Sequence, residues 1–300
     1  MIFYDDVHTT VLRDWAENSN PELTKFSNDV PLQNYSFHPS CKCSRLAPQL
    51  ERLKIPFDKS ASYWKEKLEE VPLKIPVGDY VGPSSCNDFT SALGSGQKVL
   101  SYTYYSPWRT VRRQYFENGK PTDTEERFLE LLEPMARNAQ RLYPDWRVRI
   151  YHNVTENDTE AFNMFCSLYC QYDFIDFCDT RQLPTVGDLN KKFPVGRFWR
   201  FQVLADPTVS VFGSRDVDSY LTDRETASVQ AWMVSGKQFH VMRDGPFHRS
   251  TILAGLWGAD NYQNLSMATT VRNALLGVQP NLYKFYDQRI LHGRVWPLIR

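Results

Sequence analysis

From Lys98 to Met242 the chain alternates short β-branched or aromatic runs with segments of helical period, which confines it to a small set of α/β architectures. Val99-Leu100-Ser101-Tyr102-Thr103-Tyr104-Tyr105 reads as a first core strand that stops at Ser106-Pro107. Phe128, Leu131, Leu132, Met135, Ala139 and Leu142 then recur at helical spacing, with Thr122 or Asp123 as the cap and Tyr143-Pro144 as the stop. A second strand over 146–151, a helix over 159–169 and a short strand over 174–177 follow. Residues 197–204 are predicted helical up to Asp206-Pro207, with a buried strand over 209–212, a helix over 223–234 and a strand over 239–242 beyond them. Strands separated by helices imply an open, mostly parallel sheet flanked by helices, whose ligands sit beyond the carboxyl ends of the strands.

Residues 1–95 have a different texture, rich in Pro, Ser and Asn, with one short amphipathic piece over 63–71. They are expected to form an irregular extension or stem on a main domain over 96–300. The 300 residues are 42% hydrophobic, enough for a large core. Lys plus Arg and Asp plus Glu both number 35, so no global field favours nucleic acid or an anionic membrane, and an anionic ligand must be held locally.

No window is long and apolar enough for a membrane span, and the N-terminus lacks signal-peptide character, so any membrane attachment is expected through a segment outside this chain. Six cysteines, Cys41, Cys43, Cys86, Cys166, Cys170 and Cys178, permit three bridges. Buried free thiols are the alternative, and zinc is disfavoured because no pair has a two-residue gap. Sequons at Asn34, Asn153, Asn157 and Asn264 tilt the expectation to a secretory or Golgi lumen over the cytoplasm.

The feature with most chemistry is the acidic step Arg215-Asp216-Val217-Asp218-Ser219 at the end of a predicted buried strand. Asp216 and Asp218 there would flank the ligand crevice, and hard carboxylate oxygens suit manganese or magnesium bridging a diphosphate. By spacing alone, a strand-end turn whose two Asp residues are solvated or cap a helix is the better reading.

The surrounding text decides between them. Val209 to Ser219, Arg224-Glu225, Ala231-Trp232, Phe239-His240-Val241-Met242-Arg243-Asp244 and Ile252-Leu253-Ala254-Gly255-Leu256-Trp257-Gly258 resemble the capsular and lipopolysaccharide-type glycosyltransferases, which are similar to metal-dependent GT-A enzymes. The resemblance runs from about Val99 to the last residue, strongest from Arg197 to Gly258, and does not reach the first 95 residues. It implies a GT-A-like fold and transfer of a sugar from a nucleotide-sugar donor to a glycan or glycoconjugate acceptor. Asp216 and Asp218 would bind the metal and diphosphate, with Arg215 beside the nucleotide. Arg197 and Arg200, one helical turn apart, offer planar forks to phosphate or ribose.

In the Gly-Pro loop after 242, Asp244 would accept from sugar hydroxyls, Arg243 would pair with it or with phosphate, and His248 would meet acceptor or metal. Gly255 would admit the sugar to the backbone and Trp257 would give it a stacking surface. Asp287-Gln288 resembles the Asp-Gln step of retaining GT-A enzymes such as glycogenin-like transferases, which implies retention, with Asp287 on sugar hydroxyls and Gln288 under the anomeric carbon. GT-A enzymes take a third metal ligand further on, so a missing C-terminal tail, His248 or His292 would have to supply it. The competing function is a non-catalytic glycan-binding or scaffold protein on the same fold. A metal-dependent nucleotidyltransferase lacks support, because no Gly-rich, Lys-containing phosphate loop appears in this sequence before the first helix.

Overall fold

The computed structural model describes residues 31–49, 83–105, 116–117, 120–121, 125–243, 245, 248, 250–281, 283 and 285–300, with the backbone only at 116–117, 120–121 and 125–127. The predicted segment 63–71, the predicted caps Thr122 and Asp123, and Asp244 lie outside the described residues.

In chain order the elements are β1 (Leu32–Tyr35), β2 (Arg45–Pro48), α1 (Asp88–Ala92), β3 (Gln97–Tyr104), and the small pair β4 (Phe116–Glu117) and β5 (Lys120–Pro121). Next come α2 (Glu125–Glu130), α3 (Leu132–Leu142), β6 (Arg147–His152), α4 (Thr159–Gln171), β7 (Ile175–Asp179), α5 (Leu189–Lys192) and a 3-10 helix (Gly196–Val203). Then follow β8 (Val209–Arg215), α6 (Asp223–Val234), β9 (Phe239–Val241), β10 (Leu256–Asp260), α7 (Leu265–Leu276), α8 (Tyr286–Ile290), a π turn (Leu291–Val295) and α9 (Trp296–Ile299).

Six strands form one open sheet in the order β7-β6-β3-β8-β10-β9. The β7-β6, β6-β3 and β3-β8 pairings are parallel, and β10 runs antiparallel to both β8 and β9. The expected mostly parallel α/β sheet is therefore present. Its two faces carry separate cores, as period-two alternation requires. Leu100, Ile150, Phe177 and Val211 face Leu132, Met135, Phe165 and Val229 of the helices on one side. Val99, Tyr151, Cys178 and Phe212 face Phe198, Trp199, Val271 and Leu291 on the other.

Local sequence explains most boundaries. Asn87 and Thr90 form a capping box on α1, Thr222 accepts from Glu225 N to start α6, and Asn264 accepts from Met267 N to start α7. The helix expected through 128–142 divides at Leu131, because Pro134 donates no hydrogen bond and its ring crowds the carbonyl of Glu130. The helix expected over 197–204 is a 3-10 helix, and the strand expected to end at 212 runs on to Arg215, where the acidic step begins.

The described residues before 96, 31–49 and 83–95, are built into the domain. Cys41–Cys166 and Cys43–Cys170 fasten the β1–β2 strap to α4, and Cys86–Cys178 fastens the approach to α1 onto β7. Arg45 donates to Tyr169 O and Tyr172 O at 2.8 and 2.6 Å, satisfying carbonyls at the end of α4, with its guanidinium 3.7 Å from the Tyr169 ring centroid. Ser85 donates through N and Oγ to buried Asp206 at 2.7 and 2.6 Å. Three bridges and no free cysteine mark a protein of an oxidising, secreted or lumenal compartment. Among the described residues, no helix is long and apolar enough to cross a membrane.

Candidate functional site

The parallel strands β7, β6, β3 and β8 present their carboxyl ends along one edge, and Asp216 is the first residue beyond β8. Alternation along β8 sends Phe212, Ser214 and Asp216 to the face covered by the 3-10 helix, and Val211 and Arg215 to the opposite face.

Arg200 organises the first of these faces. Thr103 Oγ1 accepts from its backbone N at 3.1 Å, and Ser101 Oγ donates to its carbonyl at 2.7 Å, so β3 fixes its backbone. Its Nη1 donates to Arg215 O at 3.1 Å and to Asp216 Oδ1, and its Nη2 donates to Asp287 Oδ2 at 3.4 Å. Burial works to lower the guanidinium pKa, but Asp216 and Asp287 outweigh it and raise the value. Burial raises the Asp287 carboxyl above its usual range against the opposing pull of Arg200. Side chains three apart eclipse on a 3-10 helix, so Arg197 points the same way, with Nη1 donating to Tyr283 O at 3.3 Å.

Gly255 and Gln288 complete the arrangement. A Cβ at Gly255 would fall on the Asp216 carboxylate and 3.0 Å from Asp216 N, so any larger residue there would displace that carboxylate. The Gln288 amide, oriented by its partners, donates to Ile252 O at 2.8 Å and accepts from Ala254 N at 3.0 Å. It thereby clamps the loop that carries Gly255. Five residues named from sequence, Arg200, Asp216, Gly255, Asp287 and Gln288, thus meet at the carboxyl edge from four separate segments.

Other sequence expectations change. Arg215 is buried, donating Nε to Glu225 Oε1 at 2.6 Å on the opposite face from Asp216, so it is a core ion pair and not a group beside a nucleotide. Trp257 is wholly buried, edge-on to Phe201 and Phe212 at 5.7 and 5.5 Å, which removes it as a stacking surface for sugar. Gly258 serves the sheet, since a Cβ there would strike Phe212 O across the β8–β10 pair. Arg243 is exposed, its guanidinium 5.8 Å from the Trp296 ring centroid. His248 Nδ1 accepts from Gly245 N at 3.2 Å in a tight turn, and His292 Nδ1 lies 2.9 Å from Thr251 Oγ1.

Asp216, ion-paired with Arg200 and with its side chain 45% exposed, and the exposed Asp218 carry hard oxygens of the kind magnesium or manganese accepts when substrate phosphates and water fill most positions. Among the described residues no group of three His, Cys, Asp or Glu could hold a metal, so neither His248 nor His292 completes a protein cage with the two aspartates.

Sequence reading missed the partners of these groups. Glu225 neutralises Arg215, and Asp206 neutralises Arg149 at 2.7 Å with both side chains fully buried. It also missed a 630 Å³ cavity beyond β6 and β7. Its walls come from segments far apart in sequence, so no local signal marked it. No family model matches the chain, and no curated protein matches it.

Proposed function

We propose that the protein is a glycosyltransferase that moves a sugar from a nucleotide-diphosphate donor to a glycan or glycoconjugate acceptor, with manganese or magnesium, in the lumen of the Golgi. The supporting observation is the convergence of Arg200, Asp216, Gly255, Asp287 and Gln288 at the carboxyl edge of an open α/β sheet, where ligands of such sheets bind.

In this reading Asp216 and Asp218 hold the cation, which when bound offsets the charge of the departing diphosphate. Arg200 keeps Asp216 and Asp287 at a fixed separation, so that neither has to reorganise when substrate enters. Asp287 orients sugar hydroxyls, while Gln288 acts through the 252–254 loop, holding Gly255 against Asp216. The Asp287-Gln288 step favours retention. Arg200 bridging Asp216 and Asp287 also suits a glycan-binding protein without turnover, in which the ion pairs are structural.

Donor hydrolysis with manganese across a panel of nucleotide sugars separates the two readings. Turnover that falls at least about a hundredfold in Asp218→Ala supports the transferase, in line with the usual weight of charge-stabilising groups. Absence of metal-dependent turnover with every donor would overturn it. The anomeric configuration of the product, read by NMR, tests retention.

A further inference from the structure

The three disulfides tie together segments that wall one cavity, which Cys86 itself lines. It opens beyond the carboxyl ends of β6 and β7, has a volume of 630 Å³, and takes one wall from Phe37 and His38 of the strap and another from Phe162 of α4. Cys41–Cys166 and Cys43–Cys170 join those two walls, and Cys86–Cys178 joins the α1 approach to β7 at the floor. Binding walls fixed in this way lose little freedom when a ligand enters. The strap lies outside the stretch that resembles glycosyltransferases.

The lining combines ring faces with hydrogen-bonding groups. Phe37 stands 5.7 Å from Phe162 and 5.1 Å from Phe177, and His38 meets Phe162 edge-on at 5.1 Å. At the rim, Glu156 pairs with His38 Nε2 at 3.2 Å and remains 65% exposed, and Asp88 is exposed. Asp179 holds Arg181 through Nε and Nη2 at 2.8 and 2.6 Å. Three carboxylates against one guanidinium make the cavity unfavourable for a phosphate. Aromatic faces with carboxylate acceptors at the rim suit the C–H face and hydroxyls of an uncharged sugar.

We propose that this cavity binds an uncharged pyranose of the acceptor glycan. The cavity and Asp216 both lie at the carboxyl edge of the sheet, the cavity against β6, β7 and α4 and Asp216 beyond β8 on the face covered by the 3-10 helix. The acceptor role rests on the transferase reading, whereas sugar binding itself does not.

Saturation-transfer NMR on the full chain, with lactose, chitobiose and mannobiose as separate probes, tests the proposal. At least one disaccharide should bind. Its affinity should drop about tenfold or more in Phe162→Ala and in Glu156→Gln, and stay unchanged in Asp216→Asn. Circular dichroism shows whether Phe162→Ala has folded, and Glu156→Gln, altered at an exposed turn, carries the test if it has not. No binding by any of the three sugars, equal binding by both variants, or displacement of the sugar by uridine would each overturn it. Sugar binding without donor turnover would refute the transferase reading and leave the cavity assignment standing.

Discussion

The two bridges from strap to α4 span 125 and 127 residues, yet they are not independent crosslinks. With either intact, the other closes only the small circuit between Cys41 and Cys43 on the strap and Cys166 and Cys170, one turn apart on α4. Cys86–Cys178 also shortens the path, so the first strap bridge closes a loop of about 57 residues, worth about 4 kcal/mol in the chain-entropy account, and the second a circuit of about six residues, about 2 kcal/mol. Cys41→Ser/Cys166→Ser or Cys43→Ser/Cys170→Ser alone should therefore cost about 2 kcal/mol, and the quadruple variant about 6 kcal/mol. Cys41, Cys43 and Cys166 are half-buried and Cys170 is exposed, so lost packing adds little. Urea unfolding under non-reducing conditions measures all three. Single losses near about 4 kcal/mol that simply add, or a quadruple variant within about 2 kcal/mol of the parent, would refute the shared-loop reasoning.

Three further predictions address the core and the site. Asp206→Asn leaves the buried Arg149 guanidinium uncompensated and should cost about 3 to 5 kcal/mol, whereas Asp145→Asn in the exposed Lys98 pair should cost under about 1 kcal/mol; thermal unfolding compares them. His152 sits among Phe37, Phe165 and Phe177, and burial pushes its pKa down to about 4, so the unfolded chain binds the extra proton between about pH 6.5 and pH 4. Stability present above pH 6.5 should fall by about 3 kcal/mol across that window, and a His152→Phe variant with the same slope would exclude His152 as the cause. Gly255→Ala forces the Asp216 carboxylate off Arg200 and should weaken binding of manganese and uridine diphosphate about tenfold or more by calorimetry, and unchanged affinity would detach Gly255 from the site.

Much of this molecule was legible in one dimension. The strand and helix periods determined an α/β sheet, because these signals are local and each residue carries its own part. The even cysteine count allowed three bridges without giving their pairing, which depends on which segments meet. Resemblance picked out Arg200, Asp216, Gly255, Asp287 and Gln288, but not that one buried arginine joins two of them or that Gln288 works through a loop. Arg215 and Trp257 show the opposite outcome, since one residue along a strand reverses the face, and sequence proximity to Asp216 says nothing about direction. The aromatic cavity was hidden for the same reason. Phe37, Phe162 and Phe177 are unremarkable alone, and only folding brings the strap, α4 and β7 around a common space.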